Sequence, residues 1–357
     1  MKKLSLVGLG LTAFALVSCN KYEFSHQTGP ACQGSNQTCI TQNGVDYFDY
    51  DITIPETDTR TDILFVDDNS GSMAQEQSNM ASRFNNFLSR VDALDWRIGI
   101  VTTDMGGPGG NAPASSKNGT LLQFPSGRFF LSKGDPNDLS HFQNTIQRTG
   151  ETGSGDERGI FAALKNLQRR GDWGFIRESI RNLAIVILSD ENERSDGGTV
   201  NGQWVGLESG NDYPDDLINY VRNTWSGQKS LTVHTITVKS DPNDQACLDA
   251  QRAQSGSQAQ FGTYYEELRK KTGGVKGSVC EPDYGAQLDQ IGRVIVDTTG
   301  AIELACTPMN DAGGNSTLDV RTPNGYTWDS SGNKVTFHPA LQPGVVIHVK
   351  YQCVSKQ

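Results

Sequence analysis

From about Thr61 to Thr299 the chain alternates short apolar runs with stretches whose apolar residues recur every three to four positions. Ile63 to Val66 is a continuous β-rich run, the pattern of a strand covered on both faces. After Met73, the residues Met80, Phe84, Phe87 and Leu88 fall on one side of a helical period whose other side is polar. The pairing repeats. Residues 96–102, 128–131, 182–189, 231–239 and 275–280 predict strands, and 138–148, 157–169, 214–224, 262–271 and 285–298 predict helices. Residues 105–126, rich in Gly, Pro, Ser and Asn, predict a long surface loop. Strands alternating with helices specify an α/β fold, a doubly wound, mostly parallel sheet with helices on both faces.

From Ala301 the period changes to strict alternation. Residues 316–321, 334–337 and 345–351 predict strands, with turns at 323–325, 331–333 and 343–344. They form a small C-terminal antiparallel β unit, residues 300–357, short of bulk for a generous core. Residues 19–57 are rich in Gly, Asn, Gln, Ser and Thr and read as a flexible tether, with 46–54 as an alternative edge strand. The α/β domain then spans 58–299.

Met1-Lys2-Lys3 and the apolar residues 4–17 have the charged start and apolar core of a secretory signal covering 1–18. The apolar run is shorter than the ~20 residues a membrane span needs. Leu16-Val17-Ser18-Cys19 resembles a bacterial lipobox. That resemblance implies cleavage before Cys19 and lipidation of its thiol. Asn20 in place of Asp implies an outer-membrane destination in the bacterial envelope. The alternative is an ordinary cleaved signal, with Cys19 entering a disulfide.

Removal of 1–18 takes away two lysines and no acid, so the formal net charge moves from -10 to -12 (29 basic against 41 acidic residues). So acidic a chain does not suit nucleic acid or anionic headgroups as partners. Membrane attachment is then left to the lipid. With Cys19 set aside, six of the seven cysteines remain, an even number that in an exported chain points to disulfides. Proximity and domain order favour Cys32–Cys39, Cys247–Cys280 and Cys306–Cys353.

Candidate chemistry sits in the loop after the first predicted strand, where Asp68, Ser70 and Ser72 occupy alternate positions. Open α/β sheets hold their ligands at the carboxyl ends of such strands. A carboxylate and two hydroxyls are hard oxygen donors, suited to Mg²⁺, Mn²⁺ or Ca²⁺ and not to zinc. Asp-x-Ser-x-Ser between a buried strand and an amphipathic helix is the signature of a metal-ion-dependent adhesion site. The segment resembles a von Willebrand factor type A (vWA) domain.

The resemblance implies two further loops. Counting back from Gly159-Ile160 puts Ser154 where the family has a Thr, with Thr152 as the second choice. Asp190, after the apolar run 185–188, takes the place of the second carboxylate. Ser70, Ser72 and Ser154 would bind the ion directly, while Asp68 and Asp190 would act through water or orient the serines. An open coordination position would accept an Asp or Glu carboxylate from a protein partner. Mg²⁺ is the first choice of ion, with Mn²⁺ or Ca²⁺ as alternatives. Asp67, next to the motif, departs from the family's usual apolar residue and needs a partner or solvent. Asp156, Glu157, Glu191 and Glu193 crowd the same rim, either solvated or holding a second, calcium-like ion.

Other motifs weigh less. Arg170-Gly171-Asp172 follows a predicted helix and reads as a turn. The five histidines show no metal-ligand pairing, and His234 falls in an apolar strand. No phosphate loop or nucleophile elbow occurs, so no catalytic residue is assigned and a non-enzymatic protein is expected. Two functions remain. One is an envelope lipoprotein binding a protein partner through a metal-bridged carboxylate. The other is an envelope scaffold or assembly factor whose metal site is structural or degenerate.

Overall fold

A computed structural model describes residues 39–53, 60–106, 113–147, 153–154, 156–180, 182–194, 199–200, 203–204, 206–226, 229–254, 257–299, 302–304, 306–331, 334–338 and 344–354. The signal and lipobox residues, Cys19, Cys32 and Thr152 lie outside them. In chain order the elements are β1 (Cys39–Gln42), β2 (Val45–Thr53), β3 (Arg60–Asp67), α1 (Ala74–Val91), β4 (Asp95–Thr102), β5 (Leu131–Ser132), α2 (Asp138–Ile146) and α3 (Gly159–Gln168). They continue with β6 (Asn182–Ser189), β7 (Thr199–Val200), β8 (Gln203–Trp204), α4 (Pro214–Thr224), β9 (Ser230–Thr237), α5 (Gln245–Arg252), α6 (Thr263–Thr272), β10 (Lys276–Ser278) and α7 (Gly285–Thr299). The last are β11 (Ile302–Glu303), β12 (Asp319–Arg321), β13 (Thr327–Ser331), β14 (Lys334–His338) and β15 (Val346–Val354).

A six-stranded sheet in the order β10-β9-β6-β3-β4-β5 carries the α/β domain. It is parallel except for β5, which runs antiparallel to β4. β3 lies inside it, and alternation along the strand explains its unbroken apolar run. Ile63 and Phe65 face one core with Phe84 and Phe87 of α1, Phe142 of α2 and Ile291 of α7. Leu64 and Val66 face the other, with Ile160 and Leu164 of α3, Leu217 of α4 and Leu268 of α6. Phe65 meets Phe84, Phe87 and Phe142 edge-on at centroid distances of 5.6, 5.5 and 5.0 Å, the favoured aromatic geometry. Among the described residues no helix is long and apolar enough to cross a membrane.

The predicted third strand shrinks to the two residues of β5, because Phe130 turns inward beside Phe175 (6.0 Å) instead of extending the ladder. α5 is an element that the periodicity missed: its Cys247, Leu248 and Gln251 are the only buried positions in eight residues, too few to establish a period.

The C-terminal strands assemble as a second body with an unexpected member. A four-stranded antiparallel sheet has the order β1-β2-β15-β12, and a three-stranded sheet the order β11-β14-β13. β2 pairs with β15 along its whole length, from Val45↔Val354 to Thr53↔Val346. Residues 45–53 are therefore neither tether nor edge strand. Phe48 and Ile52 enter one core with Leu304, Val320, Val335, Phe337, Ile347, Val349 and Tyr351. Phe48 stacks on Tyr351 at 4.6 Å. The β unit thereby gains the bulk that its own residues lack, and the α/β domain stands as an insertion between β2 and β11. Cys306–Cys353 ties the unit to β15, and Cys247–Cys280 joins α5 to the turn after β10.

Phe48→Ala removes a fully packed ring and is expected to cost about 3–5 kcal/mol in chemical denaturation of the β unit. A cost near zero would return residues 45–53 to the tether.

Candidate functional site

Parallel pairing brings the two acid-bearing loops together. β3 and β6 run in register to Asp67↔Leu188, and the Asp68 amide donates to the Leu188 carbonyl at 2.9 Å. Asp68 is fully buried. Its Oδ1 accepts from the Ser70 amide (2.8 Å) and its Oδ2 from Ser189 Oγ (2.6 Å). Ser70 Oγ lies 3.1 Å from Ser72 Oγ, and the Ser72 hydroxyl is near enough to the Asp190 carboxylate to favour its charged form. Asp190 Oδ2 accepts from Ser257 Oγ at 3.1 Å, and its carbonyl from the Gln260 amide at 2.9 Å. Asp68, Ser70, Ser72 and Asp190 thus share one network.

Ser154 is tied to a further acid, not among the residues expected from the sequence. Its hydroxyl and amide both donate to Asp104, at 3.2 Å each, and Asp104 also faces Lys117 Nζ at 3.6 Å. Its loop does abut the Asp68 loop, through a Gly153 amide bond to the Asn69 carbonyl at 2.7 Å. A Cβ at Gly153 would sit 2.4 Å from Asn69 Oδ1, so any larger residue there must displace the Asn69 side chain. Asp104 follows β4, as Asp68 follows β3. The shared signal, an acid just past a buried strand, was legible but obscured by the low-complexity residues after it.

The acids read as a rim are inside the protein, whichever ion they were assigned. Glu157 and Glu193 are fully buried, and Asp156 and Glu191 nearly so. Asp156, Glu157 and Glu193 are held by groups that sequence distance hides. Glu193 accepts from the Ile160 and Phe161 amides (2.7 and 3.1 Å), closing the first turn of α3 where the helix dipole favours an acid. Thr103 Oγ1 donates to Glu157. Arg158 binds Asp212 at 2.6 Å and Glu208 at 3.0 Å, and Arg194 lies 3.5 Å from Asp156. Asp67 is likewise buried, accepting from Gln77 Nε2 at 3.1 Å.

So many buried acids perturb one another. Burial first, and the Asp68 charge second, push Asp190 up to about 7. Burial and Asp68 likewise push Glu157 well above the carboxylate range, and burial and Asp212 do so for Glu193. Among the described residues no group of three or more His, Cys, Asp or Glu side chains is arranged to hold a metal ion. The donor chemistry fits a hard cation only in part. Asp190 Oδ1 and Glu157 Oε1 are buried without a hydrogen-bond partner among the described residues, which suits a proton or a cation. The Ser154 hydroxyl donates its proton to Asp104, which leaves its oxygen lone pairs as the only part that could face an ion.

His234 is a core residue whose Nδ1 accepts from the Val275 amide at 3.1 Å. Arg170 is held by Glu178 at 2.7 Å and Asp172 by Arg169 at 2.9 Å, so the tripeptide is an internally bonded turn.

No family model and no curated protein matches the chain. Among solved structures it is similar to the pilus adhesin SpaC from Lactobacillus rhamnosus GG in its open conformation, at 11% identity and a TM-score of 0.41, over 90% of this chain and 42% of the adhesin. A second structure of that adhesin gives 11% identity and a TM-score of 0.38, over 90% of this chain and 43% of the adhesin. The chain thus spans less than half the adhesin's length, and at this overlap the likeness carries no functional weight.

An acid whose folded pKa is raised stabilises the protein below its unfolded pKa and loses that contribution as pH climbs through the folded value. In cation-free buffer, Asp190 alone makes stability fall between about pH 4 and about 7. Urea unfolding at pH 5, 6.5 and 8 is expected to show a loss on the order of a few kcal/mol, reduced in Asp190→Asn. A profile that rises over this window would contradict the assignment.

Proposed function

We propose that the chain is a protein-binding component of the bacterial envelope, acting as a scaffold or assembly factor whose Asp68 centre is structural. The observation supporting this reading is that Asp68 and Ser154 are buried and already hydrogen-bonded within the protein. Both Asp68 oxygens accept hydrogen bonds, and the Ser154 hydroxyl is committed to Asp104. Only Gly71 is exposed and Ser70 partly so, which leaves a partner's carboxylate little to reach. In this reading the partner binds elsewhere on the molecule. Lipid attachment through Cys19, an outer-membrane destination and the absence of catalysis belong to the same proposal.

A second reading is favoured by the orphaned Asp190 Oδ1. Here a divalent cation, Mg²⁺ first and Mn²⁺ or Ca²⁺ next, is held by Ser70 and Ser72 with Asp68 and Asp190 behind them. Such an ion supplies a Lewis-acidic position for an Asp or Glu of a protein partner.

Calorimetric titration of Mg²⁺, Mn²⁺ and Ca²⁺ into protein starting at Asn20, beside Asp68→Ala, separates the two. The scaffold reading with a degenerate, ion-free site expects no saturable binding, and a loss of stability in Asp68→Ala from the unsatisfied Ser189 and Ser70 donors, about 1–3 kcal/mol. Saturable binding abolished by Asp68→Ala would favour the cation reading instead.

A further inference from the structure

One wall of the candidate site comes from far along the chain. After β9 the backbone leaves the sheet, forms α5 and returns at Gly262, whose amide donates to the Val238 carbonyl at 2.9 Å. Cys247 in α5 is bonded to Cys280, 33 residues on. The Asp244 side chain caps α5 at the Cys247 amide (3.1 Å), so the staple sits in the helix's first turn.

Two side chains reach from this segment into the site. Gln251 Nε2 donates to Glu76 Oε1 of α1 at 2.9 Å and lies 3.8 Å from Cys280 Sγ. Ser257 Oγ donates to Asp190 Oδ2 at 3.1 Å, and the neighbouring Gln260 amide donates to the Asp190 carbonyl at 2.9 Å. Glu76 and Asp190 are 2% and 0% exposed, and the Glu76 charge raises the cost of charging Asp190. Their remaining oxygens, Glu76 Oε2 and Asp190 Oδ1, have no hydrogen-bond partner among the described residues. One stapled segment therefore occupies one oxygen of each buried acid and leaves the other oxygen of each in a fixed direction.

We propose that α5 and the residues from Ser257 to Gly262, fastened by Cys247–Cys280, are a positioning element of the Asp68 centre, with Ser257 setting Asp190 and Gln251 setting Glu76. A carboxylate with one oxygen pinned by an outer hydrogen bond presents the other along a defined line, as supporting groups do around ligand sites. The staple matters because α5 is short and inserts only Cys247, Leu248 and Gln251 into the domain. Without the cross-link, the packing of Leu248 and side-chain bonds such as Gln251 to Glu76 must hold an eight-residue helix against its conformational entropy.

Amide hydrogen exchange on the chain from Asn20 tests this with Cys247→Ser/Cys280→Ser, Ser257→Ala and Ser257→Thr. The double variant is expected to exchange at least about tenfold faster at the Ser70, Glu191 and Gln260 amides, with the β4 amides unchanged. Ser257→Ala is expected to do the same at Glu191 and Gln260, and Ser257→Thr to restore protection. Wild-type rates at these amides in both the double variant and Ser257→Ala would overturn the proposal. Ser257→Ala decides the question even if the double variant does not fold. A parallel Mn²⁺ titration extends the test to the cation reading, on which the exchange arm does not rest. If wild type binds Mn²⁺, the folded variants are expected to bind it at least about tenfold more weakly, and equal affinity would overturn the proposal. If wild type binds none, the cation reading fails and the exchange rates alone decide.

Discussion

The structure depends on the in-register parallel pairing of β3 with β6, two strands so deeply buried that both must end in polar loops at the same level of the sheet. The Asp68 amide is tied to the Leu188 carbonyl, and from that bond the two loops have no freedom to separate. Asp68 and Asp190 are brought together inside a low-dielectric interior, where like charges are costly. Everything around them answers that constraint. Ser70, Ser189 and Ser257 supply hydrogen bonds to the carboxylates, and burial drives Asp190 toward its neutral form.

Neighbouring loops are drawn in by the same logic. Glu193 closes α3, the Arg194 amide bonds the Glu157 carbonyl, and Arg158 reaches Asp212, so the second and third loops form one braced unit. Buried ion pairs such as Arg158–Asp212 add little net stability over an apolar core, but removing one partner leaves an uncompensated charge. Their weight here is in fixing loop geometry. The centre is a polar interior roofed by loops, with the stapled α5 segment as one wall.

The second body follows a different rule. Fifty-odd residues of β unit enclose only a marginal core unaided. The deficit is met by β2, whose Phe48 and Ile52 complete the cluster around Tyr351. The chain thus enters the β body, leaves it for the whole α/β domain, and returns at β11. Covalent entry and exit lie in one folded unit, which restrains how the inserted domain can be carried.

Local pattern alone determined the α/β class, the central strand at Ile63–Val66, most helix positions and the Asp68-Ser70-Ser72 loop, because strand and helix periods are properties of neighbouring residues. The pairings Cys247–Cys280 and Cys306–Cys353 were also legible, from proximity and domain order. What lay beyond reach was every partner separated by a long stretch of chain. Residues 45–53 carry a strand's alternation, yet nothing near them names β15 as their neighbour. Ser154 matched the family's spacing, but its hydroxyl went to Asp104, a group 50 residues away. Glu157 and Glu193 look solvent-seeking as a string of letters and are buried only because Thr103 and the α3 amides arrive from elsewhere. Hydrophobic period is written along the chain, whereas the satisfaction of a buried polar group depends on which distant donor the fold brings to it, and that only the tertiary structure decided.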